Sequence, residues 1–215
     1  MVRAVLFDLD GTILDTEKHY RAVWPQALAA YGYVMTDEQV LMLRSLGRPY
    51  APELFRKWYG DGFDYWGVRD YRKRLFEERL AQYGLELKPG VREILDFLKE
   101  RGVVTAIATA TDLERTTRYL AQVGLEDAFD AIISAVMVER GKPAPDIYQY
   151  ACKELGLAPA DCMAVEDAPN GVRSAAAAGC KVIMVPDQTQ PDEELQSLLY
   201  SKVDSLLELR SFWTE

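Results

Sequence analysis

Histidine is almost absent from this 215-residue chain, cysteine is scarce, and positive charge is in deficit. The lone histidine, His19, argues against a zinc site. The three cysteines, Cys152, Cys162 and Cys180, include no CxxC pair and cannot all be bridged within one chain. They read as reduced, mostly buried thiols, as expected of a cytoplasmic protein. Lysine and arginine number 25 against 34 aspartates and glutamates, a formal net charge of -9. That balance excludes a general binder of nucleic acid or of anionic membranes. An anionic ligand would have to be met by local positive charge, from a metal or from a few aimed side chains. No apolar run approaches the roughly 20 residues that cross a bilayer. The run at the amino terminus stops at Asp8, so no signal peptide is expected either.

What is present is an ordinary globular composition, 49% hydrophobic and 27% charged, long enough for one large domain or one domain with a smaller insert. Short apolar runs at 3–7, 103–108, 131–133, 162–165 and 181–185 read as buried strands. Between them lie helical patterns at 91–101, 112–123, 145–155 and 169–178, each closed by a glycine (Gly102, Gly124, Gly156, Gly179). Strands alternating with helices of this length predict βαβ units in an α/β fold with a Rossmann-like, doubly wound parallel sheet. From about Asp15 to Lys88 the alternation breaks: no buried strand is evident, and Tyr20, Val23, Trp24, Ala27, Leu28 and Tyr31 keep a helical period. This predicts a small all-helical unit at 15–88 inserted after the first strand, with the core at 1–14 and 89–215. The insert holds 14 of the chain's 23 aromatic residues, which a small helical module would use mainly to build its own core. Residues 188–191 read as a surface loop.

Chemistry concentrates where strands end. Ala4-Val5-Leu6-Phe7 runs directly into Asp8 and Asp10, followed by Gly11 and Thr12. Residues i and i+2 of an extended chain face one side, so both carboxylates aim at one site at the carboxyl edge of a parallel strand, where open α/β sheets bind ligands. Two such charges repel unless a cation or proton intervenes, and Mg²⁺, a hard oxygen-seeking ion, is the natural candidate. A calcium loop counted from Asp8 fails, because its sixth and twelfth positions are Ile13 and His19. Gly11 allows a sharp turn close to a ligand. Thr109-Ala110-Thr111 closes the second run and can offer a hydroxyl and N–H groups to an anion, or simply cap a helix. Lys142 in RGKPAPDIY is no P-loop lysine, with Val136 in place of the first glycine, but Pro143 and Pro145 stiffen its surroundings for use as a fixed charge. Glu166 and Asp167 end another run. They could complete a metal site with Asp8 and Asp10, or Asp167 could cap the helix that begins near Pro169.

The ordered set strand-DxDGT, strand-TAT, GKP and strand-ED resembles the four motifs of the haloacid dehalogenase-like superfamily. The resemblance spans the whole chain and is carried by DLDGT with the following DT, by GKPAPDIY and by EDAPNG. The helical insert is similar to the cap of the subgroup that contains β-phosphoglucomutase and many small-molecule phosphatases.

The resemblance implies that Asp8 is a nucleophile forming an aspartyl-phosphate and that Asp10 is the general acid and base. Thr109 and the Ala110 N–H would hold phosphoryl oxygens, Lys142 would balance charge, and Gly11 would lie against the phosphate. Mg²⁺ would be held by Asp8, the Asp10 backbone carbonyl, Asp167 and Glu166. Asp10 disfavours a dehalogenase, which lacks an acid there, and Thr12 looks more like the phosphatase members than the mutase. Subgroup members often carry a histidine five residues beyond the DT aspartate. That slot is Tyr20 here, with His19 one residue early, so both are substrate-binding candidates, and a solvated helix position is the competing reading of His19. Arg48, in RSLGRPY, matches a cap arginine that grips a distal phosphate. Lys73 and Arg74 read as a solvated face. The expectation is a monomeric, cytoplasmic, Mg²⁺-dependent phosphatase acting on a small phosphorylated metabolite, with no nucleic acid or membrane partner. The alternatives are a β-phosphoglucomutase-like sugar phosphomutase and a silent phospho-ligand binder, for which Asp10 would have no use.

Overall fold

The computed structural model describes residues 2–213. Six parallel strands form one sheet in the order β3-β2-β1-β4-β5-β6. They are β1 (Ala4–Phe7), β2 (Val104–Thr109), β3 (Ala131–Ser134), β4 (Cys162–Glu166), β5 (Lys181–Met184) and β6 (Ser201–Lys202). The chain leaves central β1, builds β2 and β3 on one side, then returns to place β4 on the other side of β1. The carboxyl ends of β1, β2 and β4 therefore meet at a topological switch point, the place where such sheets bind ligands.

The pleat sorts the strand residues. Val5, Phe7, Ile107, Met163 and Val165 face α5 (Val91–Glu100) and α6 (Leu113–Gln122), joined by the 3₁₀ segment Leu206–Trp213. Ala4, Leu6, Ala106, Ala108 and Ala164 face α7 (Asp146–Glu154) and α8 (Pro169–Ala178). Alanines dominate the second face, on which Tyr148 is also fully buried. The expected strands are all present. β2 and β4 each run one residue further than the apolar pattern indicated, so Thr109 and Glu166 are themselves strand residues. The two-residue β6 carries too little pattern to be expected.

Between β1 and α5 lie α1 (Glu17–Ala30), α2 (Asp37–Met42), α3 (Tyr50–Tyr59) and α4 (Tyr65–Tyr83). They enclose a second core around Trp24, Leu28, Val40, Phe55 and Val68. Phe55 packs on Trp24, Phe63 and Tyr65 at ring-centroid distances of 5.2, 5.3 and 5.2 Å, so most of the aromatic enrichment is internal packing. The two crossings to the sheet domain run side by side, with Asp15 N–H donating to Glu86 O and Lys88 N–H to Ile13 O. Residues 188–191 form the expected loop, which touches the helical unit where Gln188 accepts from Arg21 and Thr189 from Arg44. Helix α9 (Glu193–Leu198) follows it. The cysteines are unbridged: Cys152 and Cys162 are buried, and Cys180 is half-buried with its sulfur 3.9 Å from that of Cys152. Among the described residues no helix is long and apolar enough to cross a membrane.

Candidate active site

Asp8 follows β1 directly, its N–H bonded to Val165 O of β4, and the residue is 2% exposed. Oδ1 accepts from Lys142 Nζ at 2.6 Å, and the same ammonium donates to Glu166 Oε1 at 2.6 Å. Tyr148 O–H donates to that glutamate oxygen as well, at 2.5 Å. Burial raises the Asp8 and Glu166 carboxyls above their ordinary range despite Lys142. Burial alone would depress Lys142, but Asp8 and Glu166 hold it above its usual value, so it is a fixed positive charge.

Asp167 is wholly buried and does not cap α8: the N-cap is Ala168, with Pro169 in the first turn. Its carboxylate meets the Arg44 guanidinium instead, which also donates to its backbone oxygen at 3.2 Å and lies 3.5 Å from Glu17. Gly11 is required beside it. Its φ is +89°, and a Cβ there would lie 2.7 Å from Asp167 Cγ and 2.9 Å from Glu17 Cγ.

Asp8, Glu166 and Asp167 each present a carboxylate oxygen within 4.8 Å of the others. One oxygen of each (Asp8 Oδ2, Glu166 Oε2, Asp167 Oδ1) is buried without a hydrogen-bond partner. Three clustered carboxylates, each with an unpartnered oxygen, fit a hard divalent cation, and buried carboxylates are otherwise costly. The side chain of Asp10 is not part of this cluster. Its two oxygens accept from Thr16 and Thr111 hydroxyls, each at 2.7 Å, which leaves its backbone carbonyl as the group it could offer a metal. The two aspartates of DxD thus occupy different environments, one against a lysine and one against two hydroxyls.

Thr109 is fully buried at the end of β2, its hydroxyl accepting from Thr111 N–H at 3.0 Å, while Ala110 is exposed to the cavity. That cavity, of about 120 Å³, has Asp8, Asp10, Ala110 and Thr111 for a floor, with Tyr20, Trp24, Arg72 and Tyr65 above. The helical unit is locked over it where the backbones of 47–48 and 141–142 exchange bonds of 2.8 and 2.7 Å. A Cβ on Gly47 would stand 2.6 Å from Gly141 Cα, so this contact needs both glycines.

One expectation for the helical unit is corrected. His19 is neither solvated nor in the cavity. It is buried, its Nδ1 accepts from Arg79 at 3.2 Å, and its ring packs against Phe76 and Tyr83. Burial lowers its pKa, with help from Lys18 and Arg79. Tyr20, about 100° further round the helix, faces the cavity and stacks on Phe76 at 4.1 Å. Arg48 is exposed and lines a neighbouring cavity of about 590 Å³ that shares Ala51, Tyr65, Arg69 and Ala110 with the one over Asp8. Arg44, four residues earlier in the same connection between α2 and α3, enters the site itself. Sequence reasoning missed Arg44, Glu17, Arg72, Arg115 and Tyr148. Only Arg44 and Tyr148 had a signal, in RSLGRPY and GKPAPDIY. Arg74 is exposed and Lys73 half-buried beside Asp70, so neither supplies charge to the site.

A sheet whose switch point gathers an aspartate pair, a buried lysine and an acidic cation seat under a helical cover defines a hydrolase of the haloacid dehalogenase-like family. The chain belongs to that family, whose model matches residues 2–179. It is 33% identical to the protein CbbY of Rhodobacter capsulatus over 87% of this chain and 86% of that one. It is 32% identical to a phosphorylated carbohydrates phosphatase of Thermotoga maritima, over 85% and 84% of the two chains. Among solved structures, a mutant CbbY of Rhodobacter sphaeroides in complex with xylulose-(1,5)bisphosphate superposes with a TM-score of 0.81 at 29% identity, covering 97% of this chain and 96% of that one.

Proposed function

We propose that the protein is a Mg²⁺-dependent phosphatase that cleaves a small phosphorylated metabolite, of the phosphosugar class to which relatives point. The observation that carries this reading is the asymmetry of the two aspartates. Asp8 keeps a free oxygen beside a fixed ammonium, while both oxygens of Asp10 rest on hydroxyls at the rim of the same cavity. In this reading Asp8 attacks phosphorus, the bond from phosphorus to the ester oxygen breaks, and Asp10 gives that oxygen a proton. Asp10 then takes a proton from water, which attacks the aspartyl-phosphate and frees Asp8 and inorganic phosphate.

Thr109 and the Ala110 N–H hold the phosphoryl oxygens, and Lys142 offsets charge on phosphate and nucleophile. Asp8, Glu166, Asp167 and the Asp10 carbonyl would hold the cation, which when bound supplies positive charge to the phosphoryl group. We assign residues 15–88 as a cap that excludes water over a core of residues 1–14 and 89–215.

The test is phosphate release from a panel of phosphometabolites. Asp8→Asn should reduce turnover by at least about 10⁴-fold with the fold intact, on the precedent of losing a nucleophile, and retained Mg²⁺-dependent activity would refute the assignment. The competing sugar phosphomutase would return the phosphoryl group to glucose phosphates instead of releasing it.

A further inference from the structure

Among the described residues, each buried or half-buried cation at the site described has an anionic partner except one. Arg44 lies among Asp167, Glu17 and Asp187. Lys142 bridges Asp8 and Glu166. Arg115 of α6 has Asp112 at 3.6 Å, though its Nε is buried and unpartnered. Arg72 of α4 is 6% exposed and has no carboxylate or hydrogen-bond partner among the described residues, and its Nε and Nη1 are both buried. What it touches is aromatic: its guanidinium lies 5.1 Å from the Tyr20 ring centroid and 4.8 Å from that of Trp24. Those ring faces return only part of the cost of removing a charge from water. The neighbouring Arg115 and Arg69 add repulsion, and with burial they lower the pKa of Arg72. All three arginines line the cavity over Asp8 and Asp10, opposite the floor where the ester phosphate would sit.

We propose that Arg72, flanked by Arg69 and Arg115, is the seat of a second anionic group on the substrate, so that the molecule cleaved carries a carboxylate or a further phosphate besides its phosphate ester. The idea rests on the phosphatase reading above and narrows its substrate class. It places a second-anion site in the roof of the cavity, in addition to the Arg48 expected from the sequence. An oxyanion there replaces the missing counter-ion of a guanidinium that lines the cavity. The two rings hold the guanidinium plane in place before the ligand arrives, which reduces the ordering cost of binding.

The experiment compares three compounds of equal carbon number: a sugar bisphosphate, a phosphorylated sugar acid and a singly phosphorylated polyol with a neutral tail. At least one of the two acidic compounds should exceed the polyol in kcat/KM by about 10–100-fold, the worth of a charged hydrogen bond or two, and the better of them identifies the second group as phosphate or carboxylate. In Arg72→Met that ratio should collapse towards one. The same three compounds titrated calorimetrically into the Asp8→Asn protein should show the same order of affinity. This binding arm does not depend on turnover, so a protein that releases no phosphate defeats the phosphatase reading while the arginine seat is still judged by binding. Equal affinity for all three compounds, or for none, overturns the proposal. A further readout separates ligand seat from packing: Arg72→Met should raise the melting temperature of the ligand-free protein by removing an uncompensated charge. A drop in melting temperature with an unchanged substrate ratio would make Arg72 a packing residue and refute the inference.

Discussion

Lys142→Met tests whether the acidic cluster is held by one ammonium. The Lys142 side chain has no exposed surface, and its Nζ lies 2.6 Å from both Asp8 Oδ1 and Glu166 Oε1. Methionine keeps most of the volume but leaves two buried carboxylates uncompensated, with Asp167 beside them. Removing one partner of a buried ion pair costs about 3–5 kcal/mol. At about 2–4 °C per kcal/mol for a chain of this size, the melting temperature should fall by about 6–20 °C.

The loss should depend on pH in a definite direction. With lysine present, burial already raises the folded-state pKa of Asp8 and Glu166 above their unfolded values, and without it both rise further. An acid whose pKa is raised on folding binds more protons folded than unfolded, so its stability is lost as pH rises. The deficit of the variant should therefore be largest at pH 8 and shrink towards pH 5, while Lys142 in the parent stays protonated throughout. Calorimetric melts at four pH values measure this. Mg²⁺ at 100 times its dissociation constant stabilises a binding-competent fold by about 2.7 kcal/mol, and should recover a larger share of the deficit at pH 8 than at pH 5, where protons compete. A deficit that is flat with pH, or unaffected by Mg²⁺, would refute the charge argument.

Gly171→Ala addresses Glu166 alone. A Cβ there would overlap its carboxylate and displace it from Lys142 and Tyr148, at a cost of about 1.5–3 kcal/mol in a denaturation midpoint, and with weaker Mg²⁺ binding by calorimetry; an unchanged midpoint would contradict the packing described. His19→Gln should flatten a pH dependence. Burial and the nearby Lys18 and Arg79 lower the folded-state pKa of His19, so the parent should lose stability relative to the variant as pH falls below about 6.5, and urea midpoints at pH 7.5 and 5.5 give the difference. Chelation of divalent cations should reduce phosphate release to background, and added Mg²⁺ should restore it.

What the sequence disclosed and what it withheld divide along a physical line. Asp8, Thr109, Glu166 and Asp167 were legible because each follows an apolar strand, and parallel topology sends the carboxyl ends of β1, β2 and β4 to one edge whatever the rest of the chain does. A shift of one residue in those strand ends, as happened at Thr109 and Glu166, moves the group by a few ångströms and leaves it at the same edge. The roof of the cavity obeys no such rule. On α1 a step of one residue rotates a side chain by about 100°, enough to put Tyr20 over the aspartates and His19 into the packing of Phe76 and Tyr83. Eight arginines lie between residues 15 and 88. Which of them faces the cavity depends on how α1 and α4 pack and on where the Gly47–Gly141 contact pins the loop, neither of which leaves a periodic trace. The outcome selected Arg44, which meets carboxylates, Arg69, which lies 4.0 Å from Asp70, and Arg72, which meets none. Charge that a chain must place in a low-dielectric site is normally neutralised by its own residues, as at Lys142 and Arg44. A guanidinium with no carboxylate partner beside cations that each have one is therefore the place where the structure leaves a partner to be supplied from outside, and substrate choice should be read from that residue and not from the aspartates.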